Sequence, residues 1–297
     1  MKMGDYIIRA TAAQGYIRAF AGRTTGMVQE AQRLHGLSPV ASAALGRSLT
    51  AAALLAIDMK DEKDVLSLII KGNGPLGNIV VVATSQGRIK GYVDNPSVDL
   101  PLNPYGKLDV GKAVGGDGKL TVIKDLGLKE PYVGQVDLVS GEIGEDVANY
   151  LLISEQQPSA VAVGVLVNPD HSVKAAGGYI IQALPGASDE VIAGIEERIL
   201  KAPSISSQIE QGKTPEQILH EILGQADMKV MGRIEPKFSC DCSRERLESV
   251  LISLGKEELE DIIRKEGKAE LICHYCNKKY HFDKKELEIL LKQAMKK

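Results

Sequence analysis

Two hydrophobic periodicities divide the first part of the chain, a helical one followed by an extended one. Residues 40–59 form its most apolar stretch, rich in Ala and Leu, and Ser38-Pro39 before it is typical of a helix start because Pro suits the first helical position. Arg47 and Thr50 interrupt this stretch, so we predict a buried core helix rather than a membrane span. Residues 27–35 predict a shorter helix.

From Val65 onward the pattern becomes extended, with β-branched runs separated by turns that contain Gly, Asn or Pro. Together with two earlier runs, it predicts strands at residues 6–8, 16–20, 65–71, 79–83, 88–93, 120–124, 132–139, 161–167 and 179–183. A helix is predicted at 145–155. We therefore expect an α+β domain over residues 1–186, built mostly of antiparallel sheet.

The middle segment, residues 187–234, predicts a helical linker made of short, interrupted helices. One spans 189–200, and a further turn or two is expected at 204–210. Thr214-Pro215-Glu216-Gln217 is a capping box that opens another helix, and Gly224 closes it. Isolated helices of this length are marginal in water. Their apolar faces must therefore pack on neighbouring parts of the protein.

The last segment, residues 235–297, predicts a small separate domain. Ser243 can cap the first of two short helices, strands are expected at 269–272 and 278–282, and a last helix starts near Asp283. This segment also contains all four cysteines of the chain.

The cysteines form two close pairs, Cys240-Asp241-Cys242 and Cys273-His274-Tyr275-Cys276, with an insert between them that is long enough to fold. Four thiolates in two pairs suit tetrahedral zinc. The second pair is common in zinc ribbons, whereas the first is unusual because a single spacer makes a tight chelate. Four unrelated buried cysteines are the alternative, but free thiols do not usually cluster at ligand spacing. We predict one structural Zn²⁺ per chain.

Composition and motifs exclude several other classes of function. A net charge of −3, 4% aromatic residues and no Trp argue against nucleic-acid binding. Residues 72–77 match the letters of a dinucleotide motif, but a strand is predicted after them where such a site requires a helix. A closed four-thiolate site leaves no position for a catalytic water, so we expect no enzyme. No targeting segment is recognised, and we expect a cytoplasmic protein without stable structural disulfides.

The thiolates provide the remaining chemistry, because a thiolate is a nucleophile towards oxidants. Arg244, Arg246, Lys278 and Lys279 lie near the pairs in sequence, and we interpret them as solvated surface charges rather than as activating groups. Disulfides that close short loops gain little from loop closure and should be easily reduced again, which suits a switch.

At this point the sequence resembles the redox-regulated 33-kilodalton heat-shock chaperonins of bacteria. The resemblance rests on both cysteine pairs and spans nearly the whole chain. It is also carried by the runs 35–39, 72–77, 121–127, 139–142, 154–156, 175–178 and 238–246.

The resemblance implies an ATP-independent holdase that is inactive while reduced and zinc-bound. Oxidation would form the disulfides Cys240–Cys242 and Cys273–Cys276, release zinc, loosen the linker and produce a homodimer that binds unfolding client proteins. Two alternatives are a thiol-disulfide oxidoreductase that uses Cys273 and Cys276, and a zinc-ribbon interaction module.

The apolar faces of the linker helices are the candidate client-binding surface. We expect them to pack between the large domain and the zinc domain in the reduced protein, and to become exposed when zinc is lost. The candidate residues are Ile192, Ile195, Ile199, Ile218, Leu219 and Ile222.

Overall fold

The structure is a computed structural model that describes residues 4–294. The chain divides into two compact units, the first ending at Ser239 and the second beginning at Cys240. The strands of the first unit are β1 (Tyr6–Ala12), β2 (Ile17–Arg23), β3 (Val65–Gly72), β4 (Asn78–Thr84), β5 (Arg88–Val93), β6 (Gly118–Asp125), β7 (Tyr132–Asp137), β8 (Ser159–Val167), β9 (Val173–Ala183), β10 (Lys229–Ile234) and β11 (Lys237–Phe238). Its helices are α1 (Thr25–His35), α2 (Pro39–Ala56), α3 (Val110–Val114), α4 (Gly144–Ile153), α5 (Asp189–Lys201), α6 (Ile205–Glu210) and α7 (Pro215–Leu223).

Two sheets form the first unit. The five-stranded sheet has the order β10-β1-β2-β9-β8, and the six-stranded sheet has the order β11-β5-β4-β3-β6-β7. Neighbouring strands run antiparallel, except that β11 runs parallel to β5. The predicted α+β class with mostly antiparallel sheet is confirmed.

Helix α2 lies in the main hydrophobic core, in one cluster with side chains from both sheets. It begins as predicted, because Ser38 Oγ accepts a hydrogen bond from the backbone N–H of Ala41 and Pro39 takes the first position. It ends at Ala56, a few residues before the predicted end. Within residues 4–294 it is the one helix long and apolar enough to cross a membrane, but 83% of that window is buried inside the protein. The prediction of a core helix is confirmed.

The glycine run at 72–77 serves packing. It leads directly into β4, as predicted, and no helix follows it. A Cβ added to Gly72 would lie 2.1 Å from the carbonyl oxygen of Val114, and one added to Gly74 would lie 2.3 Å from that of Ala113. The glycines therefore allow this turn to approach the backbone of α3.

Helices α5, α6 and α7 pack on the other face of the five-stranded sheet. Alternation along β1 turns Ile7 into the main core and Ile8 into this second cluster. The capping box of α7 is present, with Thr214 Oγ1 accepting from the N–H of Gln217 at 3.2 Å and Gln217 Oε1 accepting from the N–H of Thr214 at 2.8 Å. The expectation that the small unit also packs on these helices stays a prediction.

The middle segment also contains a strand that the sequence patterns did not predict. After α7 the chain forms β10, which pairs antiparallel with β1 at the edge of the five-stranded sheet. The linker is therefore helical over α5 to α7 and extended at its end. The predicted domain boundaries after residues 186 and 234 stay predictions.

The second unit has three helices and a hairpin among its described residues. They are α8 (Arg244–Ser253), α9 (Lys256–Lys265), β12 (Lys268–Ile272), β13 (Lys279–Asp283) and α10 (Lys284–Ala294). Ser243 caps α8 as predicted, its hydroxyl accepting from the N–H of Arg246 at 3.3 Å. The small core consists of Leu251, Leu259, Tyr280, Phe282, Leu287 and Leu290.

Candidate metal centre

The structure brings the two cysteine pairs together in the second unit. Cys240 and Cys242 lie just before α8, while Cys273 and Cys276 lie in the turn between β12 and β13. All four sulfur atoms lie within 4.8 Å of one another. Two contacts join different pairs, Cys240 Sγ to Cys273 Sγ at 3.6 Å and Cys242 Sγ to Cys276 Sγ at 3.4 Å.

These distances fit a tetrahedral thiolate site. Metal–sulfur bonds of about 2.3 Å in a tetrahedron place sulfur atoms about 3.8 Å apart. Backbone hydrogen bonds shape the second half of the site, because the carbonyl of Cys273 accepts from the N–H groups of Cys276 at 3.3 Å and Asn277 at 2.8 Å. The four cysteines are therefore positioned to hold a metal ion.

The histidines near the cysteines do not join this group. Within residues 4–294 the cluster of potential metal ligands contains only the four cysteines. His281 lies on β13, and its Nδ1 is 3.2 Å from Glu270 Oε2 on the paired strand. The four thiols thus form the donor set without help from imidazole.

Tyr280 contacts the site, and the sequence analysis missed it. Its hydroxyl lies 3.2 Å from Cys242 Sγ and 3.2 Å from the carbonyl oxygen of Cys242, and it can donate its one proton to either atom. The alternation Tyr280, His281, Phe282 along β13 was the available signal, since it turns Tyr280 and Phe282 into the small core. The tyrosine thus links the first cysteine pair to the strand that follows the second pair.

The thiols differ in acidity when no metal is bound. Burial raises the pKa of Cys240 strongly and that of Cys276 to about 11. Burial also acts on Cys242, but hydrogen bonds from Tyr280 and the other thiols outweigh it and lower its pKa to about 7. A first thiolate at Cys242 is stabilised because its neighbours donate to it.

The cationic side chains around the pairs are matched by acidic or aromatic partners. Arg246 Nη1 donates to Asp241 Oδ2 at 2.8 Å, and Arg244 Nη2 donates to Glu286 Oε1 at 2.6 Å. Lys279 Nζ lies 3.1 Å from Glu270 Oε1, and Lys278 Nζ lies 5.0 Å from the ring centre of Tyr280. These contacts support the interpretation of surface charges.

The six candidate client-binding residues lie on α5 and α7, and all but Ile192 belong to or pack against the second hydrophobic cluster, on the outer face of the five-stranded sheet. Four are buried, with exposed fractions of 5% for Ile195, 1% for Ile218, 0% for Leu219 and 1% for Ile222. Ile192 and Ile199 are half-buried and line a cavity of about 380 Å³ beside α4. In this conformation the surface is thus largely covered.

Comparison with known proteins identifies the family. The family model described as Hsp33 protein matches residues 5–283. The chain belongs to the Hsp33 family. The 33 kDa chaperonin of Geobacillus kaustophilus (strain HTA426) is 53% identical and covers 99% of this chain and 100% of its own length. The 33 kDa chaperonin of Thermoanaerobacter sp. (strain X514) is 52% identical, and the match covers 98% of this chain and 99% of that protein.

A solved Hsp33 structure has the same fold. The crystal structure of the 33 kDa chaperonin from Thermotoga maritima superposes with a TM-score of 0.92 at 44% identity, covering 99% of this chain and 100% of that one. Membership of the Hsp33 family confirms the predictions of a chaperone of the stress response that binds unfolded proteins and of a protein that is not an enzyme.

Proposed function

We propose that this Hsp33 protein is a cytoplasmic, ATP-independent holdase that zinc and four thiolates keep inactive until oxidation. The observation that supports this most directly is the cluster of four sulfur atoms within 4.8 Å. A tetrahedral site made only of thiolates is typical of zinc. Bound zinc would supply a closed structural cross-link between the segment before α8 and the β12–β13 turn.

In the reduced state, Cys240, Cys242, Cys273 and Cys276 would be the metal ligands. Six buried side chains make a small core for a unit of this size, and a core of that size contributes only about 3–5 kcal/mol. A structural zinc site contributes about 10–16 kcal/mol in small zinc domains. The fold of the small unit would therefore depend mainly on its thiolates.

Oxidation would convert each pair of thiolates into a disulfide. For each bond, two thiolates give two electrons to hydrogen peroxide, whose O–O bond breaks; it takes up two protons and leaves as two molecules of water. The proposed bonds are Cys240–Cys242 and Cys273–Cys276. The shortest contacts join different pairs, but cysteines one or two residues apart stay close once the site opens, because the loop between them is short. Disulfide sulfurs no longer serve as thiolate ligands, so the metal is released.

Loss of the metal would then unfold the small unit and loosen the linker helices. The apolar side chains of α5 and α7 that now lie on the sheet would become available to unfolded clients. Pairing of two oxidised chains would bury part of the same surface. No nucleotide takes part in this cycle.

Light scattering of a heat-unfolded client protein tests the proposal, without ATP and with reduced or peroxide-treated chaperone. Treated protein should suppress aggregation and reduced protein should not. Equal suppression by both forms would remove redox control from the proposal. An insulin-reduction assay on the same samples tests the oxidoreductase alternative. The position of Cys273 argues against that alternative, because Cys273 follows β12 rather than opening a helix.

A further inference from the structure

The short strand β11 occupies the edge of the six-stranded sheet next to β5. It pairs with Arg88 and Ile89, the first two residues of a six-residue strand. The N–H of Lys237 donates to the carbonyl of Gly87, and the N–H of Ser239 donates to that of Ile89, both at 2.8 Å. β11 therefore covers this edge through main-chain hydrogen bonds.

Backbone groups of β11 and of the turn before β5 approach closely at this edge. Gly87 has φ of +76°, and a Cβ placed there would lie 2.8 Å from the carbonyl oxygen of Glu235. The Lys237 side chain is exposed, and its amine lies 3.7 Å from Glu235 Oε2. Phe238 adds side-chain packing, because it lies against the main hydrophobic core and its ring is edge-to-face to His35 at 6.0 Å between centres. The main-chain carbonyls of Gly87 and Ile89 can accept hydrogen bonds from extended chains of varied sequence.

The position of β11 in the chain connects this edge to the cysteines. Ser239 is the last residue of the first unit, and Cys240 follows it directly. Any rearrangement of the first cysteine pair therefore pulls on or releases the residue that donates to Ile89. Two residues of β11 pair with β5, and Phe238 packs on the core beside them. An extended segment that pairs with more of β5 would compete with β11 for the same main-chain groups.

We propose that the edge of β5 is a binding surface for extended segments of unfolded client proteins, covered by β11 in the reduced protein and uncovered on oxidation. This inference rests on the proposed function and adds a main-chain site to the apolar surface of the linker. The edge carries Arg88 and Lys90, and β11 adds Lys237 beside it. Positive charges of this kind discourage edge-to-edge pairing between copies of the chain, because like charges repel, but they do not block pairing with other extended segments.

Site-specific photo-crosslinking tests where the client binds. Full-length protein would carry benzoylphenylalanine in place of Arg88, with a matched control in which it replaces Gln135 on β7, the strand at the opposite end of the same sheet. Both positions are exposed. The probe is a reduced, carboxymethylated protein that cannot fold. The label at 88 should capture several-fold more client after peroxide treatment, while the label at 135 should not change.

A proline substitution tests the role of β11 without touching the cysteines. Lys237→Pro removes the N–H that donates to Gly87, whereas Lys237→Ala loses the same side chain and keeps that N–H. The Pro variant should bind the carboxymethylated client several-fold better than the Ala variant while both are reduced and metal-loaded. Equal binding by the two variants would overturn the proposal.

The outcomes separate this inference from the proposed function. If oxidised wild-type protein suppresses aggregation but position 88 captures no client, the edge is not a client site and the chaperone function stands. Capture of a second copy of the chain at position 88 in place of client would also overturn the inference. If oxidised wild-type protein does not suppress aggregation, the proposed function itself fails.

Discussion

Truncation of Leu219 to Ala should activate the chaperone without any oxidant. Leu219 lies on α7 and is 0% exposed, packed in the cluster on the outer face of the five-stranded sheet. Replacing a fully buried Leu by Ala typically costs about 2–5 kcal/mol, including the cavity left behind. Because α7 is a nine-residue helix, it has little stability of its own, and most of that loss should appear as local opening.

The size of the effect follows from this cost. At the lower end, about 2 kcal/mol raises the equilibrium constant for opening about 30-fold. Hydrogen exchange on reduced, metal-loaded protein measures it directly, in peptides that cover α7. We expect faster exchange there, unchanged exchange in α2, and suppression of client aggregation before peroxide is added.

Leu200→Ala is the matched control, because Leu200 is 86% exposed on the neighbouring helix α5. A surface substitution of this kind typically changes stability by less than about 0.5 kcal/mol, so neither exchange nor activity should change. Metal content must equal that of the wild type in both variants. Faster exchange in α7 of Leu219→Ala without any client protection would refute the idea that linker packing controls activity.

Four further predictions follow from the site and the linker. Reduced protein should contain one zinc per chain by metal analysis, and its thiols should react with a thiol reagent only after a chelator is added; fewer than about one metal would contradict the four-thiolate assignment. Cys242→Ser should make the second unit protease-sensitive while the first unit keeps its thermal transition, because the metal contributes more than the small core; a protease-resistant second unit would argue otherwise. Metal affinity, measured by competition with a chelator, should fall as the pH is lowered. Burial raises the pKa values of Cys240 and Cys276, so both thiols hold protons at neutral pH and metal binding must release them; an affinity independent of pH would contradict thiolate ligation. Full oxidation should speed hydrogen exchange across residues 189–224, and unchanged protection there would show that the linker does not transmit the switch.

Local sequence patterns determined the elements whose signals are complete within a short stretch. Helix α2 carries its own start, with the cap at Ser38 and Pro39 followed by a long, mostly apolar run. The capping box at Thr214 and the cap at Ser243 are equally local, because each needs only hydrogen bonds to residues three positions away. The four cysteines also stood out by sequence alone, since ligand spacing within each pair is a property of the chain.

Only the tertiary structure decided which segments pair across long separations. β11 has only two residues and β10 is largely exposed, and they become strands because β1 and β5 offer unpaired edges, which lie more than a hundred residues earlier in the chain. Tyr280 joins Cys242 for the same reason, since the β12–β13 hairpin and the loop before α8 must first meet. A strand edge or a hydrogen bond between distant residues depends on what the fold places opposite it, and no local pattern encodes that partner.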